Sequence, residues 1–336
     1  MRIPTAATPL LLLLLLLPPA PAAAAESASS TVETQPVAST GDAADDPAVW
    51  VHPYDPARSL VIGNSKGGTL ESYDLSGALV QRISPSSFVG NVDVRGNYVV
   101  VSSAGIKVYL VDPVTRQMSP ATDGVIRTYG EGLCLYDPGA VGVTDGLYAF
   151  TVTRKVGRVR QYALTDADDD GLLAGAMVRD FTLGTEAEAC VVDDTTGALF
   201  VAEEDVAVWR YSAEPGATTD RIEVARAGAD MPADLEGLTI AGDYLYLSVQ
   251  NVAAPNQNWV NVYDRAAPHQ HVRSVRVVAG GTSDDCDRTD GIAAAAGDFG
   301  PAFSEGVFVC QDGNNGPPGL TGNQNFKFVP LDRVAP

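Results

Sequence analysis

From residue 42 onward the chain carries little helical periodicity. Short runs rich in Val, Leu and Tyr alternate with clusters of Gly, Asp, Asn and Pro, the pattern of many short strands joined by turns. The runs repeat on one plan. Each unit opens with an acidic or amide residue and small residues that lead into an apolar strand. A glycine-bearing turn, a second apolar strand and a third strand ending in an aromatic follow. The openings are Asp45-Asp46-Pro47-Ala48-Val49-Trp50, Asn91-Val92-Asp93-Val94, Glu131-Gly132-Leu133-Cys134, Glu188-Ala189-Cys190, Glu236-Gly237-Leu238 and Asp290-Gly291-Ile292. Six units of about 40 to 57 residues match the spacing of propeller blades. The expected fold is therefore all-β, a six-bladed β-propeller over residues 42–336. A β-sandwich, the other arrangement of many short strands, gives no reason for an acid-Gly-apolar opening to recur six times.

The repeat turns charge into chemistry. Asp46, Asp93, Glu131, Glu188, Glu236 and Asp290 fall at equivalent places in successive units, and Asp45, Asp234 and Glu203-Glu204 add carboxylates nearby. Radial symmetry gathers such residues at one mouth of the channel, where like charges repel unless neutralised. Hard divalent cations prefer carboxylate oxygen, and Ca²⁺ is the expected ion in an extracellular setting. The plainer alternative is that these residues cap turns at the blade mouths.

The 336 residues include 42 acidic and 22 basic side chains, a formal charge of −20. That balance disfavours nucleic acid and anionic membranes as partners. At the start, Arg2, the apolar run Leu10 to Leu17 and the small residues Pro18 to Ala25 read as a secretory signal peptide over 1–25. The run is too short to anchor the chain in a bilayer. Residues 26–41, rich in Ser, Thr and Ala, read as a flexible N-terminal segment. Cys134, Cys190, Cys286 and Cys310 form an even set in an exported chain, hence two disulfides with three possible pairings. Their wide spacing is unlike a zinc site.

Other motifs carry less. Gly63-Asn64-Ser65-Lys66-Gly67 fits a nucleophile elbow, but a strand-like run follows it where such an elbow needs a helix. Asp166-Ala167-Asp168-Asp169-Asp170-Gly171 opens like a calcium loop, yet Met177 stands at the twelfth place, leaving a peripheral Ca²⁺ or a plain acidic turn. Of the three histidines, His52 sits between aromatic and proline neighbours and reads as packing.

Several ordered segments resemble the β-propeller phytases. These are Asp42-Ala43-Ala44-Asp45-Asp46-Pro47-Ala48-Val49-Trp50, Asn91-Val92-Asp93-Val94-Arg95, Ala202-Glu203-Glu204-Asp205 with Trp209, Ser212-Ala213-Glu214-Pro215, Asp234-Leu235-Glu236-Gly237-Leu238-Thr239, Thr289-Asp290-Gly291-Ile292 and Asn323-Gln324-Asn325-Phe326-Lys327. The resemblance spans Gly41 to Val334. It implies several Ca²⁺ ions at the top of the channel and a cleavage phosphate site beside an affinity site. The metal ligands it implies are Asp45, Asp46, Glu188, Glu204, Asp234, Glu236 and Asp290. The catalytic set it implies is Glu188, Glu204, Lys155, Lys66 and Gln250. Substrate phosphate would be held by Lys66 and Lys155, with Arg154, Arg158 and Arg127 as local substitutes.

The chain also departs from that pattern. Ser65 replaces the first lysine of a paired-lysine turn, and Ser102-Ser103-Ala104-Gly105 is shortened where an arginine is expected. Glu131 stands at a tyrosine position with Tyr129 close by, and Val156 replaces an acid. The calcium half of the site is kept and the phosphate-gripping half is thinned. By the repeat, Cys134 pairs with Cys190 across consecutive inner strands, and Cys286 pairs with Cys310 in the last unit.

The activity implied is secreted, calcium-dependent hydrolysis of phytate by in-line attack of a calcium-bound water, in a monomer whose partner is a small polyanion. The rival readings are another calcium-dependent propeller hydrolase, such as a lactonase or phosphotriesterase, and a non-catalytic calcium-stabilised binding propeller.

Overall fold

The computed structural model describes residues 25–139, 146–228, 231, 233–250, 258–316 and 322–336. Except for its last residue, the leader expected over 1–25 lies outside them. Six sheets account for nearly all regular structure. Among the described residues, only one turn of α-helix, Leu331–Val334, and one 3₁₀ turn, Pro56–Arg58, interrupt the strands.

The inner strands are Ala44–Trp50, Asn91–Arg95, Gly132–Tyr136, Ala187–Asp193, Leu235–Ala241 and Ile292–Ala296. Each touches the next, and the sixth touches the first, so the ring is closed. Outward from each, successive strands pair antiparallel, as in Ala44–Trp50, Leu60–Ser65, Thr69–Asp74 and Leu79–Ile83 of the first blade. The second strands of the blades are mostly apolar because both faces are covered. Leu60–Ser65 and Gly306–Asp312 are buried at every position. Among the described residues, six apolar clusters fill the wedges between neighbouring blades, one per wedge. The expected six-bladed propeller is the observed fold.

Glycine after the opening acid has a packing reason. A Cβ on Gly132 would fall 2.1 Å from the carbonyl oxygen of Glu188 on the next blade, and one on Gly291 would fall 2.5 Å from the Cα of Asp46. The small residue of one blade thus admits the backbone that carries the acid of the next. The Gly237 amide completes the same contact by donating to the Asp290 carbonyl at 2.8 Å.

The N-terminal segment corrects an expectation. Residues 26–41 are not a loose lead-in. Glu26–Ser29 lies parallel to His271–Val278 as a fifth strand of blade five. Val32–Glu33 pairs with Asn325–Pro330 as the outermost strand of blade six. Beyond it, Val37 is buried and its amide donates to the Gln324 carbonyl at 2.9 Å. The composition is polar because these are short edge strands that owe their order to unsatisfied ladder groups on the last two blades. One end of the described chain therefore latches the other.

The two disulfides follow the expected pairing. Cys134–Cys190, with Cα atoms 5.6 Å apart, joins the inner strands of blades three and four. Cys286–Cys310, at 6.4 Å, fastens the segment before blade six to its second strand.

Deleting residues 26–37 is expected to lower unfolding stability by at least about 3 kcal/mol, since it strips buried Ala28 and Val37 and reopens two sheet edges. Urea titration of the truncated and full proteins measures this. Replacing Cys134 and Cys190 together by serine is expected to cost about 4 kcal/mol from the 56-residue loop they close, read by the same titration.

Candidate active site

One end of the channel opens into a crater of about 930 Å³. Among the described residues, nine carboxylates line it: Asp42, Asp45, Asp46, Glu131, Glu188, Glu204, Asp234, Glu236 and Asp290. Three cationic side chains, Lys66, Arg154 and Arg288, share the lining, with Gln250, Gln311, Asn314, Asn323 and Gln324. All seven expected metal ligands are thus brought together.

The inner strands aim these acids by losing their regular register at the mouth. In blades one, four and five the ladder shifts between Ala44 and Pro47, between Ala187 and Cys190, and between Leu235 and Leu238. The displaced residues are Asp45-Asp46, Glu188-Ala189 and Glu236-Gly237. Bulges of this kind re-aim side chains at sheet ends, and Pro47 fits there because it has no ladder donor to lose.

Lys66 is the hub of the side made by blades six and one. Its ammonium lies 3.3 Å from Asp42, 3.3 Å from Asp45 and 3.0 Å from Asp290. Asn64 donates to Asp45 at 3.4 Å and accepts the Asp46 amide at 2.9 Å, and Asn91 donates to Asp46 at 2.5 Å. Gln250 donates to the Asp290 carboxylate, while the Asp290 amide donates to Gln311 at 2.9 Å. Arg154 is the hub of the opposite side. Its Nε lies 2.8 Å from Glu188, 2.8 Å from Glu186 and 3.2 Å from Glu131. Glu186, Glu188 and Glu204 each offer a carboxylate oxygen within 4.8 Å of the others.

Three cations do not neutralise nine acids, and burial first, then mutual repulsion, disfavours the charged forms of several of them. Burial, with help from Asp290 and against Lys66, pushes Asp45 up to about 7. Burial, then Asp45 and Asp290, carries Asp46 well above the carboxylate range. Glu188 is pushed up to about 8 by burial and by Glu204, Glu131 and Asp45, with Arg154 opposing. Glu204 rises to about 7 through burial, Glu186 and Asp205. Burial, Asp290 and Glu188 raise Glu236 strongly, and burial also raises Asp234 and Asp290. Burial works against the Lys66 ammonium, but Asp45, Asp290 and Asp42 overcome it and hold its pKa above the ordinary value. Oxygen donors that resist ionisation until a cation arrives suit a hard divalent ion.

Several expected residues lie elsewhere. Asp93 is two positions deeper on its strand, takes the Leu135 amide at 2.8 Å and pairs with Arg95 at 3.1 Å. At the mouth of blade two, Gly90 lines the crater and Asn91 reaches Asp46, so the opening acid is absent there. Glu203 points into its own blade, taking the Trp209 indole N–H at 2.6 Å, while Glu204 faces the crater. Lys155 is exposed and outside the crater lining; its neighbour Arg154 occupies that place. Arg158 grips Asp180 on the outer strand at 2.7 and 2.6 Å and is no rim residue. Arg127 and Tyr129 are exposed and also outside the lining, although Tyr129 donates to Glu131 at 3.2 Å. In the acidic loop, Asp166 closes the turn by accepting the amides of Asp170 and Gly171 at 3.1 and 2.8 Å.

Glu186 and Gln311 stand outside the motifs quoted from the sequence, and Asp42 and Asn64 fall inside such segments without a site role. The i, i+2 spacing of Glu186 and Glu188 was the readable signal for one of them, since alternate residues of an extended segment share a face. Asn64 and Gln311 carry no local mark.

Among known proteins, a computationally designed protein, Ika8, aligns over 84% of this chain and 70% of its own at 14% identity and a TM-score of 0.41, a likeness that carries no argument. A 3-phytase of Bacillus subtilis (strain 168) is 35% identical over 330 residues, covering 90% of this chain and 83% of the relative. The profile of the Phytase family matches residues 2–336. With its six blades and acid-lined crater, the chain belongs to the Phytase family.

Proposed function

We propose that this chain is a secreted, calcium-dependent phosphatase that hydrolyses phytate in the crater. The observation that carries the reading is the excess of mostly half-buried, under-neutralised carboxylates at the mouth of a phytase-family propeller. Family membership and the similar 3-phytase support phytate as substrate. Two disulfides and the leader-like start support export.

Asp45, Asp46, Glu188, Glu204, Asp234, Glu236 and Asp290 would hold calcium. When bound, calcium supplies positive charge for phosphoryl oxygens and lowers the pKa of water. The chain's own groups do the rest. Lys66 and Arg154, on opposite sides of the crater, balance charge on the phosphate being transferred and on its neighbour. Gln250 and Gln311 fix Asp290 through its carboxylate and its amide. Glu188 and Glu204, ionised once calcium is bound, are the carboxylates placed to take the proton of the attacking water. The new P–O bond forms in line with the leaving inositol oxygen, with no covalent enzyme intermediate. The exposed Lys155 and the outward Arg158 favour one rival, a calcium-stabilised propeller that binds without catalysis.

Phosphate release from calcium phytate is expected to stop on treatment with EDTA and to return with added calcium. Equal release with and without EDTA refutes the calcium reading. Binding without release, or faster turnover of a lactone, selects a rival.

The raised carboxylates also set a pH dependence. Their folded pKa values lie above the unfolded values of about 4, so the folded chelated protein binds more protons than the unfolded chain. Their stabilising contribution is complete below pH of about 4 and is lost as pH rises through 7 to 8. Calcium needs the ionised forms, so its affinity is expected to rise over the same interval. Scanning calorimetry across pH should show Tm falling in EDTA, and a calcium-induced increase in Tm that grows with pH.

A further inference from the structure

We propose that Arg154 is an internal counter-ion that competes with the divalent cation for the carboxylates of blades three and four, and grips substrate phosphate once displaced. The inference rests on the calcium reading above. Arg154 meets Glu131, Glu186 and Glu188 through a single nitrogen, Nε, at 2.8 to 3.2 Å. Two of those carboxylates, with Glu204, form the cluster whose oxygens converge within 4.8 Å. The guanidinium and a cation therefore claim the same two carboxylates, Glu186 and Glu188.

Comparison with the molecule's other cations shows why Arg154 can leave. Lys327 also stands among acids, with Glu33 at 2.7 Å and Asp312 at 3.2 Å, but its side chain is fully buried and cannot be exchanged. Arg158 holds Asp180 with two parallel N–H bonds, the strongest geometry open to a guanidinium. Arg154 lacks that paired fit, its side chain is 48% exposed, and it lines the crater where a polyanion would enter. A flexible side chain held by one nitrogen at an open rim can exchange carboxylate for phosphate without repacking the blade. Cation loading would then free the guanidinium when substrate needs it, which couples the two events.

Competition has a sign that a structural role does not. Removing a positive charge beside a dication site strengthens cation binding, whereas removing a structural tether weakens it. Calcium titration by calorimetry, without substrate, on wild type, Arg154→Ala and Arg154→Lys tests this, with the far-ultraviolet spectrum as a folding control. The expected result is that Arg154→Ala binds calcium about tenfold more tightly while its KM for phytate rises, and that Arg154→Lys stays close to wild type in both. If wild type binds calcium and folded Arg154→Ala binds it equally or more weakly, this inference is overturned and the calcium reading stands. If wild type binds no calcium, both fall.

Discussion

Mutual repulsion among carboxylates is the constraint around which this propeller is organised. A closed ring of inner strands carries acids to one mouth, where burial and proximity hold Asp45, Asp46, Glu188, Glu204 and Glu236 far from their ordinary titration. A chain that folds this way accepts a standing electrostatic cost. The cost is tolerable because the rest of the fold is stiff. Six apolar wedges, the latch formed by the N-terminal strands and the Cys134–Cys190 bridge leave the inner strands little freedom to splay.

The two ends of the channel use the same residue types differently. Deeper down, Arg95 of blade two reaches Asp194 at 2.7 Å and the Leu135 carbonyl at 3.0 Å, while Arg265 of blade five meets Asp193. Arg265 pulls Asp193 below the usual carboxylate range against the effect of burial. Those acids are tied across blades by cations of the chain and serve as struts. Burial still raises Asp194 despite Arg95, but at the mouth the surplus is larger, nine acids to three cations among the described residues. Charge that is matched builds structure; charge left over is available to a ligand.

Local devices convert this excess into a shaped site. Bulges at Asp45-Asp46, Glu188 and Glu236 turn strand ends inward, and small residues such as Gly132 and Gly291 let the neighbouring acid-bearing backbone close to contact. Asn64, Asn91, Gln250 and Gln311 hold individual carboxylates in orientation. The crater is therefore a cup of oxygen atoms, with Lys66 and Arg154 as positive charges on facing sides.

The blade count, the all-β class and the convergence of most acids were legible in the sequence, because period-two alternation and a recurring acid-small-apolar opening are local patterns that radial symmetry translates directly into space. The cysteine partners were legible for the same reason. Three matters were decided only by the tertiary structure. Asp93 and Glu203 look equivalent to crater acids along the chain, but two residues of depth in one case and a reversed facing in the other give them to Arg95 and Trp209. Residues 26–41 look featureless because their order comes from sheet edges formed by sequence some 250 to 300 residues away. Arg154 rather than Lys155 lines the crater, since both sit in the turn 154–157 between two strands, where no period-two rule applies and only the folded blade determines which one faces inward.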